Sequence, residues 1–182
     1  DESDEAYAQI VAQLLHIDDL TGLYLRRRFD HELDLLLARA ENERRLLGLL
    51  VMDLDGVKAI NDKHGHLFGA YTISESGKLI GRELQPPAIA CRFGGDEYIA
   101  ALPDCDLGAA AAVGEAILAR IAQHPFLYEG VALRPGISIG VAEFPTHARD
   151  REALFRAADA ALYAAKRAGK NRVERALVSH SR

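Results

Sequence analysis

A continuous apolar segment in the first third of the chain constrains the fold more than any other feature. Residues 46–52 read LLGLLVM, and the segment ends abruptly at Asp53. Because such a segment has no regularly spaced polar positions, it is typical of a strand buried on both faces. A strand of this kind requires a sheet covered by helices, so the segment predicts an α/β domain with Asp53 at the end of an inner strand.

The rest of the chain alternates between helical and extended patterns. Apolar spacing predicts one or two strands within residues 131–144, and further strands and helices elsewhere: strands over 88–93, 98–102 and 172–178, and helices over 25–43, 57–63, 67–83, 107–122 and 151–168. Gly94-Gly95 lies between two of these strands and indicates a hairpin. No linker or repeat interrupts the pattern. Residues 18–178 are therefore predicted to form one α/β (α+β) domain, with a central mixed sheet surrounded by helices.

Residues 1–17 are predicted to be the end of an N-terminal signalling helix. Apolar side chains recur there in heptad-like steps, at Tyr7, Ile10, Leu14 and Ile17. This spacing indicates the end of a coiled coil, and a helix that lies on its own domain explains it equally well. The chain does not begin with Met, so we expect it to be part of a longer protein.

Charge and composition exclude several classes of protein. The net charge is −5, which argues against a general nucleic-acid binder, because such binding depends on neutralising phosphates. No apolar stretch approaches the roughly 20 residues of a membrane helix, and no signal peptide is recognisable at the start. Cys91 and Cys105 have no metal-binding or redox spacing. We therefore expect a cytoplasmic segment with no nucleic acid or membrane partner.

Three carboxylates are predicted to meet at one end of the sheet. Asp53 ends the apolar strand, and Asp96 and Glu97 follow the Gly-Gly turn. Taken singly, each is explained as well by a solvated strand end or a polar hairpin tip. Together, like charges at one sheet end require a cation. Mg²⁺ prefers hard oxygen ligands and substrate phosphates, and a pair of such ions assists displacement at phosphorus, so this pattern indicates nucleotidyl transfer.

Groups that suit a triphosphate lie near these carboxylates in the sequence. The backbone N–H groups after Asp53, at Gly56 and Val57, enter a predicted helix and favour phosphate binding there. Lys58 follows in the same segment. Lys166 and Lys170 are four residues apart at the end of the last long helix; they fit a phosphate clamp, or simply the helix dipole. The HGH sequence at 64–66 has no third ligand nearby, and we assign no metal to it.

Four segments, in order, resemble the GGDEF-domain diguanylate cyclases. DDLTGLYLRRRF resembles the opening motif of that family, with Leu25 in place of Asn, and MDLDGVKAINDKHGHLFGA resembles its nucleotide-binding segment. CRFGGDEYIAAL contains the signature, with Tyr98 in place of Phe, and DAALYAAKRAGKNRV resembles the closing motif. The resemblance covers residues 18–175. It implies a palm-like domain, related to adenylyl cyclases and polymerase palms, that condenses two GTP into cyclic di-GMP with release of pyrophosphate.

The resemblance also implies roles for individual residues. The metal ligands, for two Mg²⁺ ions per site or Mn²⁺ in their place, are Asp53, the Leu54 carbonyl, Asp96 and Glu97, and Asp96 is also the base for the ribose 3′-hydroxyl. Asn61 faces the guanine. The remaining substrate positions are Gly56, Val57, Lys58, His66, Ala70, Arg92, Lys166 and Lys170. Because each domain holds one GTP, two domains must pair as a homodimer, under the control of an upstream sensor domain.

Two departures from the family pattern affect specificity and regulation. Ala70 stands where the family has a guanine-reading Asp, so a relaxed enzyme that also uses ATP and makes cyclic GMP–AMP is the alternative; Tyr71, Ser74 or a water molecule are substitute acceptors. Gln85 and Ala88 stand where many relatives have the RxxD of a product-inhibition site. A catalytically silent nucleotide-binding regulator is a second alternative, and a polymerase-like nucleotidyltransferase is the most remote one.

Overall fold

The computed structural model describes residues 2–178, without the side chains of residues 12–15. Within this range the chain forms six helices and eight strands, in the order α1 (Glu2–Leu15), β1 (Tyr24–Leu25), α2 (Arg26–Glu43), β2 (Leu47–Asp55), α3 (Val57–His64), α4 (His66–Glu83), β3 (Ile89–Gly94), β4 (Glu97–Pro103), α5 (Leu107–Gln123), β5 (Phe126–Tyr128), β6 (Val131–Leu133), β7 (Gly136–Phe144), α6 (Arg151–Arg167) and β8 (Val173–Arg175).

Six of the strands form one mixed sheet, in the order β1-β3-β4-β2-β7-β8. The inner strand β2 is antiparallel to both β4 and β7, whereas β1 is parallel to β3 and β8 is parallel to β7. The strands β5 and β6 form a separate antiparallel hairpin. The predicted class, a mixed sheet surrounded by helices, is confirmed.

The core consists of two layers, one on each face of the sheet. Side chains at even positions of β2, such as Leu50 and Met52, pack with residues of α4 and α5. Side chains at odd positions, such as Leu49 and Val51, pack with residues of α2 and α6. Successive side chains of a strand point to opposite faces, so both faces of β2 are covered, as the apolar segment predicted. Asp53 occupies an odd position and therefore lies on the α6 side.

Close contact between α6 and β7 fixes the helix on the sheet. A Cβ atom added at Gly140 of β7 would lie 2.0 Å from the Ala158 carbonyl oxygen and 2.3 Å from the Leu162 nitrogen of α6. Only glycine allows the helix backbone to approach this closely. The approach holds α6 along the sheet, so that its last turn, which carries Lys166, reaches the end of β2.

The structure corrects several of the predicted boundaries. The two-residue strand β1 and the short strand β5 were not predicted, because so few residues show no periodicity. The last strand is shorter than 172–178, and α1 ends at Leu15, before Ile17, which forms an isolated bridge with Tyr24 instead. Tyr7 and Ile10 of α1 are exposed; the side chain of Leu14 lies outside the described part. None of the helices in residues 2–178 is long and apolar enough to span a membrane.

Candidate active site

The β3–β4 hairpin brings two predicted carboxylates to the end of β2. Glu97, the first residue of β4, pairs with Asp53 in the antiparallel register. The Leu54 N–H donates to the Asp96 carbonyl at 3.1 Å. Gly95 has a φ of 51°, a left-handed conformation that favours glycine in the turn. Three carboxylates thus converge at one end of the inner strands β2 and β4: Asp53, Asp96 and Glu97. In the sequence, 43 positions separate the first two (96 − 53).

Lys166 is the counter-ion at this end of the strands. Its Nζ lies 2.9 Å from Asp53 Oδ2 and 2.9 Å from Asp55 Oδ1. Asp55 also accepts hydrogen bonds from Ser138 Oγ at 2.8 Å and from the Asn171 N–H at 3.0 Å. The other oxygen of Asp53, Oδ1, is buried and has no hydrogen-bond partner. Asp55 is therefore held by several donors, whereas Asp53 keeps one oxygen free for a ligand.

The electrostatics of the site favour an added cation. Burial raises the pKa of Asp53 to about 6; the hydrogen bond from Lys166 opposes this shift, and the charge of Asp96 adds to it. Burial also raises the pKa of Glu97, as do the charges of Asp96 and Asp159. The pKa of Lys166 is raised, because its bonds to Asp55 and Asp53 outweigh the lowering effect of burial. The single positive charge of Lys166 therefore stands against four half-buried carboxylates, those of Asp53, Asp55, Asp96 and Glu97.

The donors present suit Mg²⁺ bound together with a substrate. In the described part of the chain, no three His, Cys, Asp or Glu side chains form a metal-holding group by themselves. Mg²⁺ commonly binds through one or two carboxylates and completes its shell with phosphate oxygens and water. The unpartnered Asp53 Oδ1 and the neighbouring carboxylates fit this mode. Asp53, Asp96, Glu97 and the Leu54 carbonyl are the groups that would hold the ion.

The phosphate-binding residues predicted from the sequence surround the end of β2. Gly56, with a φ of 94°, ends the strand, and α3 begins at Val57, so that N–H groups of its first turn are free of helical partners. Lys58, in this turn, is exposed. Lys170 is exposed in the turn after α6, where its N–H donates to the Ala165 carbonyl at 2.9 Å.

Asn61, which the family resemblance predicts to face the base, has an unpaired amide oxygen. Its Oδ1 is buried without a hydrogen-bond partner, and it lies against Gly69 of α4. Ala70 is half-buried, and His66, at the start of α4, is exposed. A buried amide oxygen without a partner is costly, and the N–H groups of a purine edge would satisfy it.

The substitute acceptors considered for Ala70 already have partners. The Tyr71 hydroxyl accepts a hydrogen bond from the Leu127 N–H at 3.3 Å, and the Tyr71 ring stacks on Tyr128 with a centroid distance of 5.0 Å. The Ser74 hydroxyl donates to the Leu20 carbonyl. Each hydroxyl thus has one partner within the protein, and the base-reading role of Asn61 stays a prediction.

Residues 15–172 match the family described as "Diguanylate cyclase, GGDEF domain". The chain belongs to the GGDEF family. It is 36% identical over 160 residues to the uncharacterized protein YhcK of Bacillus subtilis, a match that covers 87% of this chain and 45% of that protein. It is 37% identical over 157 residues to the diguanylate cyclase DgcP of Pseudomonas aeruginosa, with 86% and 23% covered.

A solved GGDEF domain shows the same fold. The GGDEF domain of DgcB from Caulobacter crescentus, in complex with c-di-GMP, matches with a TM-score of 0.82 and 34% identity, covering 88% of this chain and 95% of that one. The chain spans less than half the length of YhcK and DgcP. It corresponds to a GGDEF domain, and those relatives contain further sequence.

Arg92 of the GGDEF domain has contacts that the sequence interpretation did not anticipate. Its Nε donates to the Gly95 carbonyl at 2.9 Å, and its Nη1 lies 3.0 Å from Asp18 Oδ1. Asp18 is buried and accepts from the N–H and hydroxyl of Thr21 through its other oxygen. Arg92 therefore ties the signature hairpin to the segment after α1. Its contact with substrate stays a prediction.

Ser138 was missed by the sequence interpretation. It is fully buried in β7 and pairs with Asp53 in the register while its hydroxyl donates to Asp55. A polar residue in the middle of the apolar segment GISIG was the available signal, because a buried hydroxyl needs a partner.

Proposed function

We propose that this GGDEF domain is a diguanylate cyclase, which condenses two GTP into cyclic di-GMP and releases two pyrophosphates. The observation that supports this most strongly is the convergence of Asp53, Asp96 and Glu97 beside Lys166 at one end of the sheet. Phosphoryl transfer requires oxygen ligands that hold Mg²⁺ and a positively charged side chain that contacts the phosphates, and this end of the sheet offers both. Because the nucleotide substrate is cytoplasmic, we also propose that the domain works there.

Mg²⁺ would be held by Asp53, the Leu54 carbonyl, Asp96 and Glu97, with two ions per site and Mn²⁺ as a substitute. When bound, it supplies charge neutralisation at the attacking and leaving oxygens. The unpartnered Asp53 Oδ1 supports this assignment. With the carboxylates neutralised, Lys166 would be released from Asp53 to contact the triphosphate.

The residues of the chain have separate tasks in the reaction. Asp96 takes the proton of the ribose 3′-hydroxyl, and the 3′-oxygen forms a bond to the α-phosphorus of the nucleotide on a second copy. The bond from that phosphorus to pyrophosphate breaks, and the same exchange in the other direction closes the ring. Lys58, Lys166, Lys170 and the N–H groups after Gly56 bind the β- and γ-phosphates. Since one domain binds one nucleotide, a homodimer is required, and an upstream sensor would control its formation.

A second candidate function follows from Ala70, which offers no acceptor to guanine N1–H and the 2-amino group. The Tyr71 and Ser74 hydroxyls each have one partner within the protein, and the unpartnered Oδ1 of Asn61 would be the main acceptor for the base. GTP would remain a substrate, and ATP would also be accepted, giving cyclic GMP–AMP.

The test is incubation of the protein with Mg²⁺ and GTP, ATP or both, with the products identified by mass spectrometry. Cyclic di-GMP that disappears with EDTA is expected. Asp96→Asn should abolish turnover in a folded protein, because it removes a metal ligand and the base together, while the exposed Asp19→Asn serves as the matched control. Nucleotide binding without product would favour a silent regulator, and near-normal turnover by Asp96→Asn would refute the role assigned to Asp96.

A further inference from the structure

Arg26, the first residue of α2, connects three elements around the signature hairpin. Its guanidinium carbon lies 4.2 Å from the ring centroid of Phe93 and 5.0 Å from that of Phe155. Phe93 belongs to β3, just before the Gly-Gly turn, and Phe155 belongs to α6. The two rings are 5.8 Å apart, centroid to centroid. The stack thus joins α2, the hairpin and α6.

The backbone pairing of the hairpin is interrupted at the residue that Arg26 contacts. In the β3–β4 register Arg92 pairs with Tyr98 and Gly94 pairs with Glu97, and the register shifts between Arg92 and Gly94. Phe93 is therefore the extra residue of a β-bulge, without a partner in the ladder. The ladder does not hold Phe93, which is 39% exposed. Its contact with Arg26 therefore adds a link from this point of the hairpin to α2 and α6, beside the bonds of Arg92 to Gly95 and Asp18.

The geometry of Arg26 depends on its planar guanidinium. Its Nε donates to Asp30 Oδ1 at 2.8 Å, and Asp30 also pairs with Arg151 at 2.8 Å. Its Nη1 is buried without a hydrogen-bond partner. The ion pair with Asp30 therefore engages only Nε, and the contacts with the two rings hold the rest of the guanidinium. A planar guanidinium stacks flat on aromatic faces, whereas the ammonium of lysine contacts a ring only as a point charge with no flat face.

Both ends of the stack lead to residues of the proposed reaction. Phe93 precedes Asp96 by three positions in the hairpin. Phe155 and Lys166 are 11 positions apart on α6 (166 − 155), which is about three helical turns and places them on one face. The distance between the carboxylates of the hairpin and Lys166 therefore depends on how the hairpin is held against α6.

We propose that Arg26 is a positioning residue of the reaction: its guanidinium, packed against the neighbouring rings of Phe93 and Phe155, fixes the signature hairpin against α6 and so sets the carboxylates of the hairpin relative to Lys166. The expected effect of Arg26 on turnover rests on the proposed cyclase function. The expected effect of Arg26 on the hairpin does not depend on that function.

Arg28 provides a matched control on the same helix. Its Nε lies 3.0 Å from Glu32 at the same i,i+4 spacing, its side chain is 35% exposed against 30% for Arg26, and its guanidinium lies 5.4 Å from the ring of Tyr24. That ring belongs to β1 and not to the hairpin turn. Substitution of Arg28 therefore removes a similar ion pair and ring contact without touching Phe93.

The test compares Arg26→Lys, Phe155→Leu and Arg28→Lys with the unmodified protein. We expect Arg26→Lys and Phe155→Leu to lower kcat by about tenfold or more with KM for GTP within about threefold, since a small misplacement of reacting groups is costly in rate. Amide hydrogens of residues 93–98 should exchange faster in these two variants. Arg28→Lys should leave kcat and this exchange unchanged, and Phe155→Tyr, which keeps a ring, should retain kcat.

The outcomes separate the two proposals. Unchanged kcat and unchanged exchange in Arg26→Lys would overturn the inference, as would equal losses in Arg28→Lys. If Arg26→Lys does not fold, Phe155→Leu and Phe155→Tyr decide in the same way. If the unmodified protein makes no cyclic dinucleotide, the proposed function fails. Faster amide exchange of residues 93–98 confined to Arg26→Lys and Phe155→Leu would still support the role of Arg26 in fixing the hairpin. Unchanged exchange in these two variants would refute that role.

Discussion

Gly69 leaves the space that the side chain of Asn61 occupies. A Cβ atom added at position 69 would lie 1.9 Å from Asn61 Oδ1 and 2.7 Å from its Cγ. The two residues come from consecutive helices, and the Gly65 N–H between them donates to the Asn61 carbonyl at 2.8 Å. The position of the proposed base-reading amide is thus coupled to the absence of a side chain eight positions later (69 − 61).

The first prediction is that Gly69→Ala weakens nucleotide binding without unfolding the domain. The clash falls on the end of a side chain, so the Asn61 amide moves and the backbone does not, and alanine also favours the helix by about 0.5–1 kcal/mol. Loss of one hydrogen bond to the base should raise KM for GTP about tenfold. Gly81→Ala in the same helix is the control, because its Cβ would approach only Leu23 Cδ2, at 3.4 Å. Equal KM values in the two variants would contradict this.

The second prediction concerns stability and pH in the absence of Mg²⁺. Burial raises the pKa of Asp53 from 3.8 to about 6. A raised folded-state pKa means that the protonated carboxyl stabilises the fold; this contribution is present below about pH 4 and is lost as the pH rises through about 6. Asp53→Asn, which cannot ionise, should therefore be more stable than the unmodified protein at pH 7.5, by on the order of 2 kcal/mol. The difference should vanish near pH 4.

Asp55→Asn provides the contrast for this experiment, since Asp55 accepts bonds from Lys166, Ser138 and Asn171 and its replacement should destabilise the fold. Urea unfolding at a series of pH values measures both variants. Mg²⁺ with a non-hydrolysable GTP analogue should then raise the midpoint of the unmodified protein and not that of Asp53→Asn, because ligand binding to the folded state stabilises it. A pH-independent difference between Asp53→Asn and the unmodified protein would be evidence against the electrostatic account.

The third prediction concerns assembly. If each domain supplies half of the reaction, specific activity should rise with protein concentration until dimers saturate. Tyr7 and Ile10 of α1 are 70% and 55% exposed and lie on its heptad-like stripe, so the double change to Glu should lower activity at low concentration. The control is Glu at Ala8 and Gln9, which lie off this stripe. Activity that is independent of concentration in a monomeric sample would contradict a homodimeric mechanism.

Most helices and the inner strand could be predicted from the sequence because each follows from a local pattern, and the carboxylate cluster followed from the positions of Asp53, Asp96 and Glu97 at the ends of predicted strands. The partners of the charged residues could not. Arg92, for which substrate contact stays a prediction, bonds Asp18, 74 positions away. Lys166 bridges two aspartates of β2 that no helical pattern identifies. The first pair depends on the place of β1 beside β3, and β1, only two residues long, has no periodic signal from which that place could be inferred. The Lys166 pairs depend on how closely α6 packs on β7.

The fourth prediction concerns the choice of base, where Ala70 sets this chain apart from the family pattern. Ala70 follows Gly69 in α4 and is half-buried, and the family pattern has the guanine-reading Asp at this position. Its carboxylate would accept from guanine N1–H and the 2-amino group, and it would meet a lone pair at adenine N1. Ala70→Asp should therefore strengthen the preference for GTP over ATP by about 1–3 kcal/mol, roughly 5- to 150-fold in the ratio of kcat/KM. It should also suppress any cyclic GMP–AMP.

Leu67→Asp provides the control for this prediction. Leu67 is exposed one turn earlier in α4, so the substitution adds the same charge and should not change the ratio of kcat/KM values. Competition between GTP and ATP on the three proteins measures this ratio of kcat/KM values. If the unmodified protein already excludes ATP as strongly as Ala70→Asp does, another group reads guanine, and the specificity inferred from Ala70 is wrong.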